Sequence, residues 1–302
     1  MPMKQLPNPS LYPFRSRWFE SGQGRMHYID EGAGAPIVFV HGMPTWSFLW
    51  RTLVRQLRTS HRAVAVDHLG FGLSDKPSDA DFHPRAHSER LSALLDSLGL
   101  EEVTLVVHDF GGPIGLGHAL RRPSTIRRLV LLNTWMWSLS TDERALGVDR
   151  IVRGATGHAL YRWFNGSTRW LVPKVLGPNH RLSEEVHRHY VDVTTRSSER
   201  VAQLAMARSL VGASDWYGSL WDQRNTLAEI PASFVWGMKD PAFGEADLDR
   251  WLELFPGAEV LRLEDDGHFP QEESPEQLLE TFRALLATKV TERPDRRLEL
   301  DA

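Results

Sequence analysis

The sequence contains no cysteine. That excludes disulfides, thiolate nucleophiles and Cys-ligated zinc or iron–sulfur centres, so any chemistry must come from Asp, Glu, His, Ser or Lys. No apolar run approaches the ~20 residues that a membrane-spanning helix needs. The N-terminal MPMKQLPNPSLYPFRSRW has neither the apolar stretch nor the small-residue cleavage site of a secretory signal. An excess of positive charge is also missing: 35 Lys and Arg stand against 39 Asp and Glu, a net −4. Neither a nucleic-acid binder nor a polybasic membrane anchor is expected from such a balance. The expectation is a cytoplasmic protein with no nucleic-acid and no membrane partner.

What is present is enough for a sizeable core: 302 residues, 41% apolar and 25% charged. By length, two domains, or one large domain carrying an insertion, fit equally well. Short, almost wholly apolar runs recur at 37–40 (IVFV), 63–66 (AVAV), 103–107 (VTLVV), 129–132 (LVLL), 234–236 (FVW) and 260–263 (VLRL), after a loosely alternating 25–31 (RMHYIDE). Continuous apolar strands imply burial on both faces, hence a parallel sheet covered by helices. Helices are expected between them at 85–98, 112–120, 248–255 and 277–286; the first places Leu91, Leu94, Leu95 and Leu98 on one face and stops at Gly99. Alternating strands and helices define an α/β fold with a doubly wound, mostly parallel sheet.

The alternation breaks from about Trp137 to Tyr217, a Trp- and Arg-rich stretch interrupted at Gly166, Pro173 and Gly177-Pro178 with no buried-strand signal. It reads as a helical cap, 137–215, inserted after strand six into a core formed by 1–136 and 216–302. The tail 291–302 (TERPDRRLELDA) is polar and expected to fray.

The chemistry centres on VTLVVHDFGGPIGLGHAL. An apolar strand ends at His108, and Asp109, Phe110, Gly111 and Gly112 lead directly into a helix. That is the spacing of a nucleophile elbow with Asp109 in the place more often held by Ser. An Asp capping a helix after a strand would look the same by itself. Two later segments decide between the readings: FVWGMKD ends a strand at Asp240, and VLRLEDDGH ends another at His268. Nucleophile, acid and histidine then follow the chain order of a hydrolytic triad, each beyond a strand.

With those residues in view, HGMPTWSFLWR (41–51), DHLGFGLSDKP (67–77), VVHDFGGPIG (106–115), WGMKDPAF (236–243) and DDGHFPQEE (265–273) resemble the blocks of the haloalkane dehalogenase family. That family lies within the α/β-hydrolases, beside the epoxide hydrolases. The resemblance runs from about Arg25 to Leu286 and weakens through the cap. It implies that Asp109 displaces halide to form an aspartyl ester, that His268 activates water to hydrolyse it, and that Asp240 orients the imidazole. It further implies an oxyanion hole from the amides of Met43 and Phe110, a small apolar organic substrate, and neither cofactor nor metal.

Two positions depart from the family pattern. Phe110 stands where a Trp usually donates its indole N–H to the halide, and Met43 stands where some members carry an Asn. Neither side chain is a donor, so halide binding would fall to a cap tryptophan, Trp163 first and Trp170 next. The gap keeps an epoxide or β-lactone substrate open, with Tyr161, Tyr190 and Tyr217, in or beside the cap, as candidate hydroxyl donors. A catalytically silent receptor is the alternative from another class, but such proteins usually lose a triad member. Other motifs are weak. Gly70-Phe71-Gly72 lacks the third glycine of a dinucleotide fingerprint. His83 and His87 sit four apart, but Pro84 between them suggests a solvated helix start, and His187 and His189 read as a polar cap face.

Overall fold

The computed structural model describes residues 8–288; the tail expected to fray lies outside them. Eight strands form one sheet in the order β1-β2-β4-β3-β5-β6-β7-β8. They are β1 (Arg17–Glu20), β2 (Arg25–Glu31), β3 (Pro36–Val40), β4 (Arg62–Val66), β5 (Val103–His108), β6 (Ile126–Leu132), β7 (Ala232–Gly237) and β8 (Glu259–Leu263). From β4 through β8 every pairing is parallel, and β1 and β2 add an antiparallel edge. The seven anticipated strands are all present. β1 was not anticipated, because its residues are half-buried and half-exposed in alternation and offer no apolar run.

The apolar runs are continuous because successive side chains point to opposite, equally covered faces. Val38, Val40, Val64, Val66, Leu105 and Val107 pack into one core cluster, and Ile37, Phe39, Ala63, Ala65, Val106 and Val130 into the other. The first face is covered by α2 (Pro84–Ser97) and α3 (Gly111–Arg121) and later by α10 (Glu245–Leu254). The second is covered by α1 (Arg51–Leu57) and, after the short α11 (Pro270–Glu273), by α12 (Pro275–Ala287). β3 lies between β4 and β5, so the chain leaves neighbouring strands β3 and β5 towards opposite sides. That is the topological switch point, where α/β sheets open a crevice at the carboxyl ends of their strands.

Between β6 and β7 lie helices α4 (Glu143–Arg153), α5 (Ala155–Arg162), α6 (Val172–Lys174), α7 (Glu184–Val191), α8 (Val201–Gly212) and α9 (Ser214–Asp222), with no strand among these residues. The boundary expected at 215/216 falls inside α9, whose Trp216, Tyr217 and Leu220 belong to the first core cluster. At the other end α7 is fastened to the core. His189 stacks on Phe48 at 4.6 Å, the Trp46 indole donates to the His189 carbonyl at 3.1 Å, and the Tyr190 hydroxyl donates to Glu272. Glu272 in turn holds both terminal nitrogens of Arg51 at 2.5 and 2.7 Å. The two histidines therefore dock the helix rather than decorate a polar face, since His187 also reaches the Thr168 carbonyl at 2.8 Å.

Removing one partner of a buried ion pair strands the other charge. Glu272→Ala should lower the unfolding free energy by about 3–5 kcal/mol in urea titration, whereas replacing Arg51 and Glu272 together by apolar residues should cost much less. Equal losses in the two variants would show that Arg51 finds water.

Candidate active site

Asp109 lies between β5 and α3 with a left-handed backbone, φ 52°. A non-glycine residue takes up that conformation only when its surroundings impose it. Here its amide donates to the Asn133 carbonyl at 3.1 Å, and its own carbonyl accepts from Thr134 Oγ1 at 2.6 Å and from the Gly112 amide at 2.9 Å. The glycines are steric necessities: a Cβ on Gly112 would lie 1.8 Å from Thr134 Oγ1, and one on Gly42 would lie 2.1 Å from Asp109 Oδ1. With Gly42 bare, the loop after β3 closes over the carboxylate and the Met43 amide donates to Oδ1 at 2.7 Å. Phe110 follows with helical dihedrals at the N-cap of α3, so its amide belongs to the set a helix leaves without an internal partner.

His268 follows β8 and faces this carboxylate. Its Nδ1 is 2.7 Å from Asp240 Oδ2, and its Nε2 is 3.6 Å from Asp109 Oδ2, an ion-pair separation too long for a direct hydrogen bond. Burial by itself would lower its pKa; the Asp240 charge, with that of Asp109, outweighs burial and raises it to about 10 from an ordinary 6.5. Asp240 is itself oriented, by the Ala242 amide at 2.8 Å and by Asn133 Nδ2 at 2.9 Å. Asn133, just beyond β6, thus positions the carboxylate that holds the imidazole. It also clasps both the amide and the carbonyl of Gly237 at the end of β7. His108, behind the triad, contacts the His268 carbonyl at 2.7 Å, and burial followed by the His268 charge lowers its pKa to about 3. It remains neutral while His268 is charged.

Above the triad is a cavity of about 330 Å³ with a predominantly apolar wall, lined from the core by Met43, Phe110, Phe243 and Phe269 and from the insertion by Tyr161 and Val172. Asp109 and His268 form part of its floor. Trp163 does not reach it. The residue closes the C-terminal end of α5 and is two-thirds exposed, and Trp170 is half exposed. The assignment of halide binding to Trp163 is thus corrected: the helical pattern of α5 turns Tyr161 inward and leaves Trp163, two residues on, facing outward. Tyr161 has no hydrogen-bond partner for its hydroxyl among the described residues, and burial, reinforced by the Asp109 charge, raises its pKa to about 12, so it stays a donor. Tyr190 and Tyr217 are spent elsewhere, on Glu272 and on the Ser209 carbonyl. Trp135 meets Phe110 edge-on at 4.9 Å with its indole N–H unpartnered, but it does not line the cavity.

Among the described residues, only His180, Asp266 and Glu273 bring three ligand-type atoms within 4.8 Å of one another. Glu273, however, already accepts from the amides of Gly177, Gly267 and Phe269 at 2.6, 2.8 and 2.9 Å. It is a strut for the histidine loop. His83 caps α2 by accepting from the Arg85 amide at 3.1 Å, as a helix start should, but His87 is fully buried among Phe71, Phe82 and His68 rather than solvated.

An eight-stranded sheet of this order with a crevice at its switch point defines an α/β-hydrolase, and the model of the alpha/beta hydrolase fold family matches residues 35–275. The chain belongs to the haloalkane dehalogenase family of these hydrolases. It is 36% identical over 274 residues to haloalkane dehalogenase 2 of Mycobacterium tuberculosis, covering 90% of this chain and 95% of that one. It is 35% identical to a cis-3-alkyl-4-alkyloxetan-2-one decarboxylase of Shewanella oneidensis, covering 89% and 87%. The crystal structure of haloalkane dehalogenase DatA from Agrobacterium tumefaciens C58 superposes with a TM-score of 0.82 at 26% identity, covering 93% of this chain and 99% of that one.

The raised pKa has a checkable sign. Because the folded value lies above the unfolded one, the stabilisation from protonated His268 is complete below about pH 6.5 and is lost as pH rises through about 10. In the free enzyme the His268 imidazole resonances should titrate near pH 10 by NMR, and Asp109→Asn, which removes one of the two charges, should move that titration down. An unchanged midpoint in Asp109→Asn would dissociate the two side chains.

Proposed function

We propose that the chain is a cofactor-independent hydrolase that cleaves the carbon–halogen bond of small apolar haloalkanes, in the cytoplasm, through an ester on Asp109. The observation that carries this reading is the asymmetry of the Asp109 carboxylate. Oδ1 is held by the Met43 amide, whereas Oδ2 faces the cavity side of His268 without a hydrogen bond to it. Oδ2 attacks the halogen-bearing carbon, the carbon–halogen bond breaks with its electron pair on the halide, and Oδ1 becomes the ester carbonyl, already in the oxyanion hole. The carboxylate is already deprotonated, so it displaces halide from a tetrahedral carbon without a general base to activate it.

Ester formation cancels the Asp109 charge, which was one of the two holding His268 protonated. The imidazolium then gives up its proton to solvent more readily, and the neutral imidazole takes one from a water whose oxygen adds to the ester carbonyl carbon. The tetrahedral oxyanion on Oδ1 is met by the amides of Met43 and Phe110. Collapse breaks the ester C–O bond, the leaving alkoxide takes the proton from the His268 imidazolium and departs as alcohol, and the Asp109 carboxyl gives up its own proton to return as carboxylate. Asp240 fixes the tautomer and supports the imidazolium. Residues 137–215 serve as the cap that keeps the cavity apolar. Within it Tyr161, the cavity's unpartnered hydroxyl, supplies the leaving-group contact that Phe110 and Trp163 do not.

The same observation supports a second reading. A hydroxyl donor above an Asp nucleophile also suits ring opening of an epoxide or β-lactone, where the leaving oxygen stays attached to the product. Halide release measured alongside diol or ring-opened product separates the two.

In His268→Asn the ester should form but not hydrolyse. Intact-protein mass spectrometry after exposure to a brominated alkane should show one alkyl adduct, mapping to the peptide that contains Asp109. An adduct elsewhere, or none with a substrate the wild type consumes, would sink the mechanism.

Leaving-group stabilisation gives a second expectation. A hydrogen bond to a charged group contributes about 1.5–3 kcal/mol, so Phe110→Trp should raise the alkylation rate roughly ten- to a hundredfold. The gain should be greater for chloride than for bromide. Tyr161→Phe should lower the rate. A normally folded Phe110→Trp protein with no gain, together with robust epoxide opening by the wild type, would move the assignment to the second reading.

A further inference from the structure

Large apolar side chains are exposed at seven positions among the described residues, and six of them fall within 148–171: Val148, Ile151, Trp163, Phe164, Trp170 and Leu171. The seventh, Trp18, lies on β1. Scattered exposed apolar residues are ordinary, but a concentration of this kind marks a surface that is covered by something. The six are linked along the insertion: Val148 and Ile151 are one turn apart on α4, Trp163 adjoins Phe164, and the Phe164 ring lies 6.3 Å from that of Trp170. Val148 and Leu171 also line the cavity, which ties this apolar patch to it.

The charge around this patch is as uneven as its apolarity. Residues 144–174 carry Arg144, Arg150, Arg153, Arg162, Arg169 and Lys174 against a single acid, Asp149, in a chain whose net charge is −4. Arg144 and Arg153 are neutralised by ion pairs with Asp142, Asp247 and Asp149. Arg150, Arg169 and Lys174 are exposed and form no ion pair among the described residues. Exposed Trp, Phe, Ile and Leu interleaved with unpaired cations are what a surface that seats at the boundary between lipid headgroups and acyl chains presents. A second copy of the chain is the poorer occupant, because a two-fold contact brings each residue near its own copy and would set these cations against themselves.

We propose that this face of the cap docks on an anionic lipid surface, with the Trp and Phe side chains at the interface and Arg150, Arg169 and Lys174 on the headgroups, so that the cavity mouth opens towards the bilayer. An apolar substrate partitions into the bilayer and would enter from it. This delivery role rests on the dehalogenase reading, whereas the docking does not.

The full-length chain is sedimented with vesicles of phosphatidylcholine containing a quarter phosphatidylglycerol, with vesicles of phosphatidylcholine alone, and with the first set in high salt. Binding to the anionic vesicles at low ionic strength, and its loss in high salt, are expected. Arg150→Glu with Arg169→Glu, and separately Phe164→Ser with Trp170→Ser, should each weaken binding at least about tenfold. Neither pair should alter halide release from a short, water-soluble bromoalkane. No binding to anionic vesicles, or variants that bind like the wild type, would overturn the proposal. So would a dimer in sedimentation velocity that Phe164→Ser with Trp170→Ser converts to monomer, since the patch would then face a second copy. Vesicle binding with the expected variant pattern but no halide release from any haloalkane would leave the docking standing and count against the dehalogenase reading alone.

Discussion

The left-handed turn at Asp109 is the constraint from which most of the site follows. A side chain there costs roughly 1–3 kcal/mol of backbone strain, and the neighbouring strand ends hold it in place. Asn133 and Thr134, just beyond β6, take the amide and the carbonyl of Asp109, while the bare Gly42 beyond β3 lets a third strand end press against the carboxylate. The turn lifts the carboxylate out of the sheet and points it at the crevice. It also leaves one oxygen captured and one free, which is the division of labour that an ester-forming nucleophile requires.

The electrostatics are arranged around a change of charge rather than a fixed one. His268 is buried between two carboxylates that together raise its pKa to about 10, so the resting site holds an imidazolium. A base that is protonated at rest looks ill-suited to its task until the intermediate is considered. On the proposed mechanism, alkylation removes the charge of Asp109 and leaves that of Asp240, so the histidine becomes a base only once there is an ester to hydrolyse. The uncharged His108 beneath it adds no competing positive charge. Asn133 serves both halves of this arrangement, steadying Asp240 with its amide while its own backbone anchors Asp109.

The core was legible because the signals that specify it are local and one-dimensional. Apolar runs such as 37–40 and 103–107 show burial on both faces, and the order of Asp109, Asp240 and His268 needs no knowledge of distances. Signals that depend on which way a helix turns were lost. Tyr161 lies on α5 and Trp163 caps its C-terminal end two residues on; the residue with the expected chemistry faces outward, and the hydroxyl lines the cavity. β1 escaped notice since an edge strand with one wet face has no continuous apolar run. His87 looked solvated because the proline and the spacing near it describe a helix start, not what packs on the helix's inner side. Whole-chain charge was uninformative for a different reason: a near-neutral sum conceals the six-to-one excess of cations along 144–174.

Glu273 joins two parts of the molecule that a static description keeps separate. Its carboxylate accepts from Gly177 in the insertion and from Gly267 and Phe269 on either side of the catalytic histidine, while the His268 amide donates to the Val175 carbonyl at 2.8 Å. A methyl group on Gly267 would strike that same carbonyl at 2.2 Å, so the two backbones run in contact. Any lifting of segment 175–177 to let alcohol and halide out must either tear these bonds or carry the histidine along. In the second case, on the proposed mechanism, opening while the ester is in place would draw His268 away from it, so the ester would be hydrolysed only once the segment closes again.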